Sequence, residues 1–453
     1  MSITSVSTHL PVHSAPVPVD SARPNQIRNA LTESIQALNQ VRSFFCVNPN
    51  TDFSRNCTLS FPKVVQTILG FGNSTVFGEL SEQLGNDPSI PTKSAFIISR
   101  QKILPDAFHF LFHEFMSRFS HFKTLKGYRI LASDGSLLSI PDNLHDYNTM
   151  VRGKPGTAPY HQMGIEGLYD VLNDTYVDFV VNDFNDHSEQ ASFLSLVRRI
   201  KNPGSVILTA DRLYGSLNNI AHLSQIGAHF VLRCKDIDSN GFVSKYNLPD
   251  STFDLSFHKT ITCSRKEMTD PSRDYQFVRR NDFDFFRHGV NSVDIDFRLV
   301  RVKLDNGHFE LLVTDLPREV FSPDDLSDLY HRRWKIETSF RRLKHLMGTL
   351  FFHSYKHDSV LQEVYAKFIM YNFAALLSSC VSVSDSPKKQ LKRFVNFSIA
   401  IALSRAFLLG KCDQALLIKR LRQDLCYVRP GRSAPRDHRL DTQPAEAFNS
   451  RAV

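Results

Sequence analysis

"SVILTADRLYGSLNNIAHLSQIGAHFVLRC", residues 205–234, decides the fold class. "SVILTAD" reads as a buried strand, "GSLNNIAHLSQIG" as a helix ending at a glycine, and "AHFVLRC" as a second buried strand. Upstream, "YRILASD" at 128, "GIEGLYDVL" at 164 and "TYVDFVV" at 175 read as a three-strand meander, the last strand following the turn-like "NDT". "HSEQASFLSLVRRI" at 187 reads as a helix. The order is therefore β-β-β-α-β-α-β, an α/β fold.

Around this centre the pattern changes twice. Residues 25–125 carry helical apolar spacing, with Pro62 suited to a first helical turn and Thr92 or Ser94 to a cap before "SAFIISRQKI". Short helices closing on a basic one predict a helical DNA-binding domain with Arg100 and Lys102 exposed, or else an ordinary bundle. Residues 126–231 hold the first part of the α/β domain, and 232–315 read as a β-rich insertion, with "VDIDFRLVRVKL" and "HFELLVTDL" parted by a turn at "DNG". Helix resumes at "SPDDLSDLYHRRW", where Ser322 can cap, Pro323 suits the first position and Asp324 and Asp325 favour the positive helix end. Residues 316–380 complete the α/β domain. Residues 381–453 read as a C-terminal helical region and basic tail, and residues 1–24, rich in Ser, Val and Pro, as a disordered arm.

Bulk properties narrow the function. The net charge of +8 on 453 residues favours a polyanionic partner, nucleic acid before membrane. The most apolar stretches fall short of about 20 unbroken apolar residues, so no membrane partner is expected. Seven scattered cysteines form no CxxC pair and read as reduced intracellular thiols. Neither a dinucleotide-binding nor a phosphate-loop glycine motif is present, so no nucleotide cofactor is implied.

Two aspartates, Asp134 in "ILASDGS" and Asp211 in "VILTADRLYGS", end strand-like runs before glycine-containing turns. Alone, each is an ordinary turn residue. A third carboxylate, Glu337, lies in "YHRRWKIETSFRRLK", residues 330–344, which reads as one helix. There Tyr330, Arg333, Glu337 and Lys344 make one narrow stripe, while Leu329, Ile336, Phe340, Leu343 and Met347 make an apolar one. The plain alternative for Glu337 is weak surface pairing with Arg333 and Arg341. Two strand aspartates and a helical glutamate could instead hold two Mg²⁺ ions, with Mn²⁺ able to substitute, for phosphodiester chemistry. His109 and His113, four apart and followed by Glu114, read as bundle histidines rather than metal ligands. Glu189, in the first turn of its helix, is explained by the positive helix end.

The spacing of Tyr330, Arg333, Glu337 and Lys344 resembles the YREK signature of a subgroup of DDE-type insertion-sequence transposases. "DGS" at 134 and "DRLYGS" at 211 resemble that family's aspartate boxes, and "LSFPKVVQTIL" through "SAFIISRQK" its N-terminal helices. The resemblance implies a ribonuclease-H-like mixed sheet flanked by helices, interrupted by a β-rich insertion ahead of the Glu337 helix. It implies metal ligation and catalysis by Asp134, Asp211 and Glu337, with Tyr330, Arg333 and Lys344 handling DNA. Trp334, Arg341, Arg100 and Lys102 are further candidate DNA contacts. The implied reaction cuts transposon inverted-repeat ends in double-stranded DNA and joins them to target DNA, in a DNA-bound homodimer in the bacterial cytoplasm at the nucleoid. A stand-alone metal-dependent nuclease and a non-catalytic DNA-binding regulator are the alternatives.

Overall fold

The computed structural model describes residues 17–19, 22–85, 90–143, 146–153, 158–346, 351–383 and 393–427. Five helices open the chain: α1 (Pro24–Gln40), α2 (Phe61–Leu69), α3 (Val76–Leu84), α4 (Lys93–Arg100) and α5 (Asp106–Ser117). Thr92 caps α4, its hydroxyl accepting from the Ala95 N–H. The meander follows as β1 (Arg129–Ile140), β2 (Tyr160–Asp170) and β3 (Thr175–Asp183), antiparallel throughout. Then come α6 (Glu189–Arg198), β4 (Val206–Ala210), α7 (Leu217–Ile226) and β5 (His229–Cys234). Ser216 caps α7, and Gly227 ends it at φ 73°, a left-handed geometry that glycine adopts without side-chain strain. β4 runs parallel to both β1 and β5, giving the spatial order 3-2-1-4-5. This is the ribonuclease-H-like arrangement.

The insertion supplies β6 (Phe253–Thr262), β7 (Tyr275–Phe277), β8 (Ser292–Lys303) and β9 (Phe309–Thr314). It does not stand apart: β9 pairs antiparallel with β5, so all four strands prolong the central sheet. Edge pairing of this kind is long-range, and local strand patterning carries no sign of it. Helices α8 (Pro323–Arg332) and α9 (Trp334–Arg341) follow, then α10 (His357–Ser379), α11 (Phe397–Leu408) and α12 (Gln414–Gln423). Ser322 and Asp325 form a reciprocal cap on α8, with Pro323 in its first turn. No helix is long and apolar enough to cross a membrane.

Side chains alternate across the strands and feed two cores. Ile130 and Ala132 of β1 and Ile207 of β4 join the core that includes α1, α2, α5, α9 and α10. Leu131, Leu208 and Ala210 join the opposite core, with α6 and α7.

Several expectations need correction. β1 does not end at Asp134 but runs on to Ile140, because β2 continues to pair with it after β4 has stopped. The helix expected over 330–344 is tightened at Arg333, where Arg333 N–H donates to Tyr330 O and Ile336 N–H to Arg333 O, each at 2.9 Å. It then widens into a π turn over Arg342–Leu346. The apolar stripe is buried at Leu329, Ile336, Phe340 and Leu343; Met347 lies outside the described residues. Of the arm, residues 1–16, 20 and 21 lie outside them too, while Val17–Pro18 pairs with Phe119–Ser120 and Val19 and Ala22 are buried. Apolar side chains and backbone hydrogen bonds, from Val17 N–H to Arg118 O and from Val19 N–H to Ser120 O, attach this end to the fold. The C-terminal region is not helical throughout, since Arg393–Val395 and Leu425–Tyr427 pair as short strands. Residues 428–453 of the tail lie outside the described residues.

Candidate active site

Register brings the two aspartates together. Ser133 of β1 lies beside Ala210 of β4 in the last parallel pair, so Asp134 and Asp211 are the next residues on neighbouring strands, about 4.8 Å apart in the sheet. Alternation sends both toward the face of Ile130 and Ile207, the face that α9 covers. Glu337 sits in the first turn of α9. Gly167 pairs with Asp134 across β1 and β2, and a Cβ there would come within 3.2 Å of the Phe340 ring of α9. The missing side chain lets the Glu337 helix lie close over the aspartates.

Arg333, buried at the α8–α9 junction, ties the groups together. Its Nη2 donates to Glu337 Oε1 at 2.8 Å, and its Nη1 lies 3.5 Å from Asp134 Oδ2. Burial lifts the Asp134 carboxyl from its ordinary 3.8 to about 7; Arg333 opposes the shift, and the negative charges of Asp211 and Glu337 add to it. Three hard oxygen donors, two of them beside one guanidinium, form a donor set suited to a divalent cation.

The remaining expected residues are placed unevenly. Lys344 reaches β1 from the π turn, donating from Nζ to Ser136 Oγ at 2.7 Å and to Leu137 O, and burial lowers its pKa to about 8. Trp334 is 56% exposed, and Arg341 is exposed as well. Tyr330 is 1% exposed, with the Arg333 guanidinium over its ring, so base stacking by that ring is not supported. Its burial follows from α8 packing on the sheet beside Leu329. Arg100 corrects an expectation outright: it is buried, paired with Glu363 at 2.9 Å and donating to Gln362 and the Ser359 carbonyl. A buried guanidinium needs such partners, and α10 supplies them. Lys102 is half-buried over the Phe53 ring.

Sequence reasoning missed the polar floor beneath the aspartates. Glu166 of β2 is fully buried, pairs with Gly135, and accepts from Ser133 Oγ at 2.8 Å and from Tyr214 OH at 2.9 Å. Burial holds its carboxyl well above the usual range. A Cβ on Gly135 would lie 3.0 Å from both Glu166 Oε2 and Glu189 Oε1. The glycine of "DGS" thus admits two carboxyls beneath Asp134. Its position directly after a strand aspartate was the available signal.

The Transposase DDE domain family matches residues 125–373, more than half of the chain. No curated protein matches it. Among solved structures, a cryo-EM structure of the piggyBac transposase synaptic complex with hairpin DNA is similar at 11% identity and a TM-score of 0.45, over 88% of this chain and 82% of that one.

Proposed function

We propose, from the premise that the chain belongs to the DDE-domain transposases and is a DNA-cleaving, strand-transferring enzyme, that Asp134, Asp211 and Glu337 are its catalytic carboxylates and metal ligands. The observation that carries this reading is the register that sets Asp134 and Asp211 on neighbouring parallel strands, facing the helix of Glu337. Divalent cations, Mg²⁺ with Mn²⁺ able to substitute, would supply Lewis-acid activation of the attacking and leaving oxygens. The chain's own residues fix the donor oxygens. Arg333 holds Glu337 beside Asp134, and the buried Glu166 floor supports β1 from the opposite face.

Hydrolysis of a phosphodiester at the transposon end frees a 3′-OH. That hydroxyl displaces a second phosphodiester in line, joining the end to target DNA. Lys344 and Arg341 stand on the same helical segment to neutralise phosphates, and the exposed Trp334 ring can stack on an unpaired base. The spacing of Tyr330, Arg333, Glu337 and Lys344 supports assigning the chain to the YREK subgroup. Tyr330 then acts by packing against Arg333, not by touching DNA. The helices over 25–125 are assigned to DNA-end recognition and a homodimer to the DNA-bound state, since two ends must be held together.

An excision assay tests this: a marker is placed between the DNA segments that flank the reading frame, and the chain is supplied from a separate plasmid. Marker loss is expected with wild type and not with Asp211→Asn. Equal excision by the two proteins at equal expression contradicts the assignment.

A further inference from the structure

Helix α5 and the outer strand β3 build a second cluster of ligand atoms, two strands away from Asp134. His109 and His113 stand one helical turn apart, and both point Nε2 at Asp178 Oδ1, at 3.5 and 3.3 Å. The two nitrogens and the oxygen lie within 4.8 Å of one another. Among the described residues this is the group drawn so close, rather than the acidic triad. We propose that it is a zinc site.

Three features point to a cation and not merely to ion pairing. The first is distance. Both gaps exceed the usual N–H···O range of about 2.7–3.2 Å, but they match the edge of a tetrahedron around Zn²⁺, about 3.4 Å for bonds of about 2.0–2.1 Å. The second is lone-pair count. Oδ1 already accepts the Phe179 N–H at 2.8 Å, which leaves one lone pair for two converging imidazoles. One cation shared by both nitrogens and that oxygen satisfies all three. The third is support. Arg199 Nε holds the other oxygen, Oδ2, at 2.7 Å, which orients the carboxylate as a single-oxygen ligand, as outer partners of zinc ligands do.

Access and rigidity also fit. The Asp178 side chain is 6% exposed, whereas His109 and His113 are 32% and 44% exposed, so the open side faces solvent. The His109 ring is set edge-on to Phe179 at 5.3 Å and to His113 at 4.7 Å. A water would complete the four ligands. Since α5 belongs to the N-terminal helices and β3 to the central sheet, the bound ion clamps one to the other.

Titration of the metal-free, full-length protein with Co²⁺ tests the site, because four-coordinate Co²⁺ has intense visible bands and a carboxylate-and-water site does not. One tightly bound Co²⁺ per chain with those bands is expected, bleached by one equivalent of Zn²⁺. Thermal unfolding should shift upward with Zn²⁺. His113→Gln and His109→Gln should each weaken binding by more than about 100-fold, the upper figure for losing a group that only supports a ligand. Asp134→Asn should leave the spectrum intact, which separates this site from the acidic one. The proposal is overturned if wild type lacks the four-coordinate bands, or if both histidine variants, shown folded by circular dichroism, retain them. Should either variant fail to fold, the other variant and the wild-type spectrum still decide.

Discussion

Asp134 is held close to half-ionised at neutral pH, with a carboxyl raised to about 7 by burial and then by its acidic neighbours. Its sign in stability follows directly. A carboxyl harder to ionise in the fold than in the unfolded chain binds more protons in the fold between about pH 4 and 7. Its contribution is complete below the unfolded value and lost as pH rises through about 7. The metal-free protein should therefore lose stability over that window, by at most about 4 kcal/mol, and Asp134→Asn should flatten the slope in urea unfolding followed against pH. Cation binding runs the other way, because a ligand carboxylate must shed its proton. Mg²⁺ affinity should weaken as pH falls below about 7, a trend calorimetry can follow. At Arg100 burial changes the expected phenotype as well. Arg100→Ala should cost about 3–5 kcal/mol by taking the guanidinium from the buried Glu363 charge, which keeps its His353 contacts, and leave DNA affinity of the folded fraction unchanged in filter binding.

The elements were legible wherever signals are local. The strand and helix order from β1 to β5, the glycine stop on α7 and the Ser322 cap on α8 all follow from nearby residues. What sequence missed depends on distant partners. The Arg100 and Glu363 pair spans 263 positions, so a basic residue at a helix end read as exposed. β1 continues past "DGS" because β2 pairs with it there, although glycine and serine read as a turn. His109 and His113 were visible as a pair, but the oxygen between them comes from Asp178 on another element. Close approach of α9 to the sheet gives an element-scale prediction. Gly167→Ala should press on Phe340 and Tyr176, costing about 1–3 kcal/mol of stability by overpacking. It should also lower DNA cleavage more than DNA binding, because it displaces the helix of Glu337; thermal unfolding and paired cleavage and binding assays check both effects.

At the scale of the molecule, one continuous sheet carries both the five-strand centre and the insertion, so the acidic pair sits on a wide, rigid support with helices on both faces. The net charge of +8 draws the chain to DNA without choosing a sequence. Two chains should assemble on DNA carrying the flanking ends, giving a mass of two copies in light scattering with end DNA; a mass of one copy on that DNA would contradict the assembly. Chemistry is the central claim, and strand cleavage of a flanking DNA end with Mg²⁺ tests it most directly. Wild type should nick the end and release a 3′-OH. Glu337→Gln should bind the same DNA with unchanged affinity and cut it about 10³-fold more slowly, the loss of several kcal/mol of metal-assisted stabilisation. Cleavage by Glu337→Gln at the wild-type rate would contradict the assignment of the site.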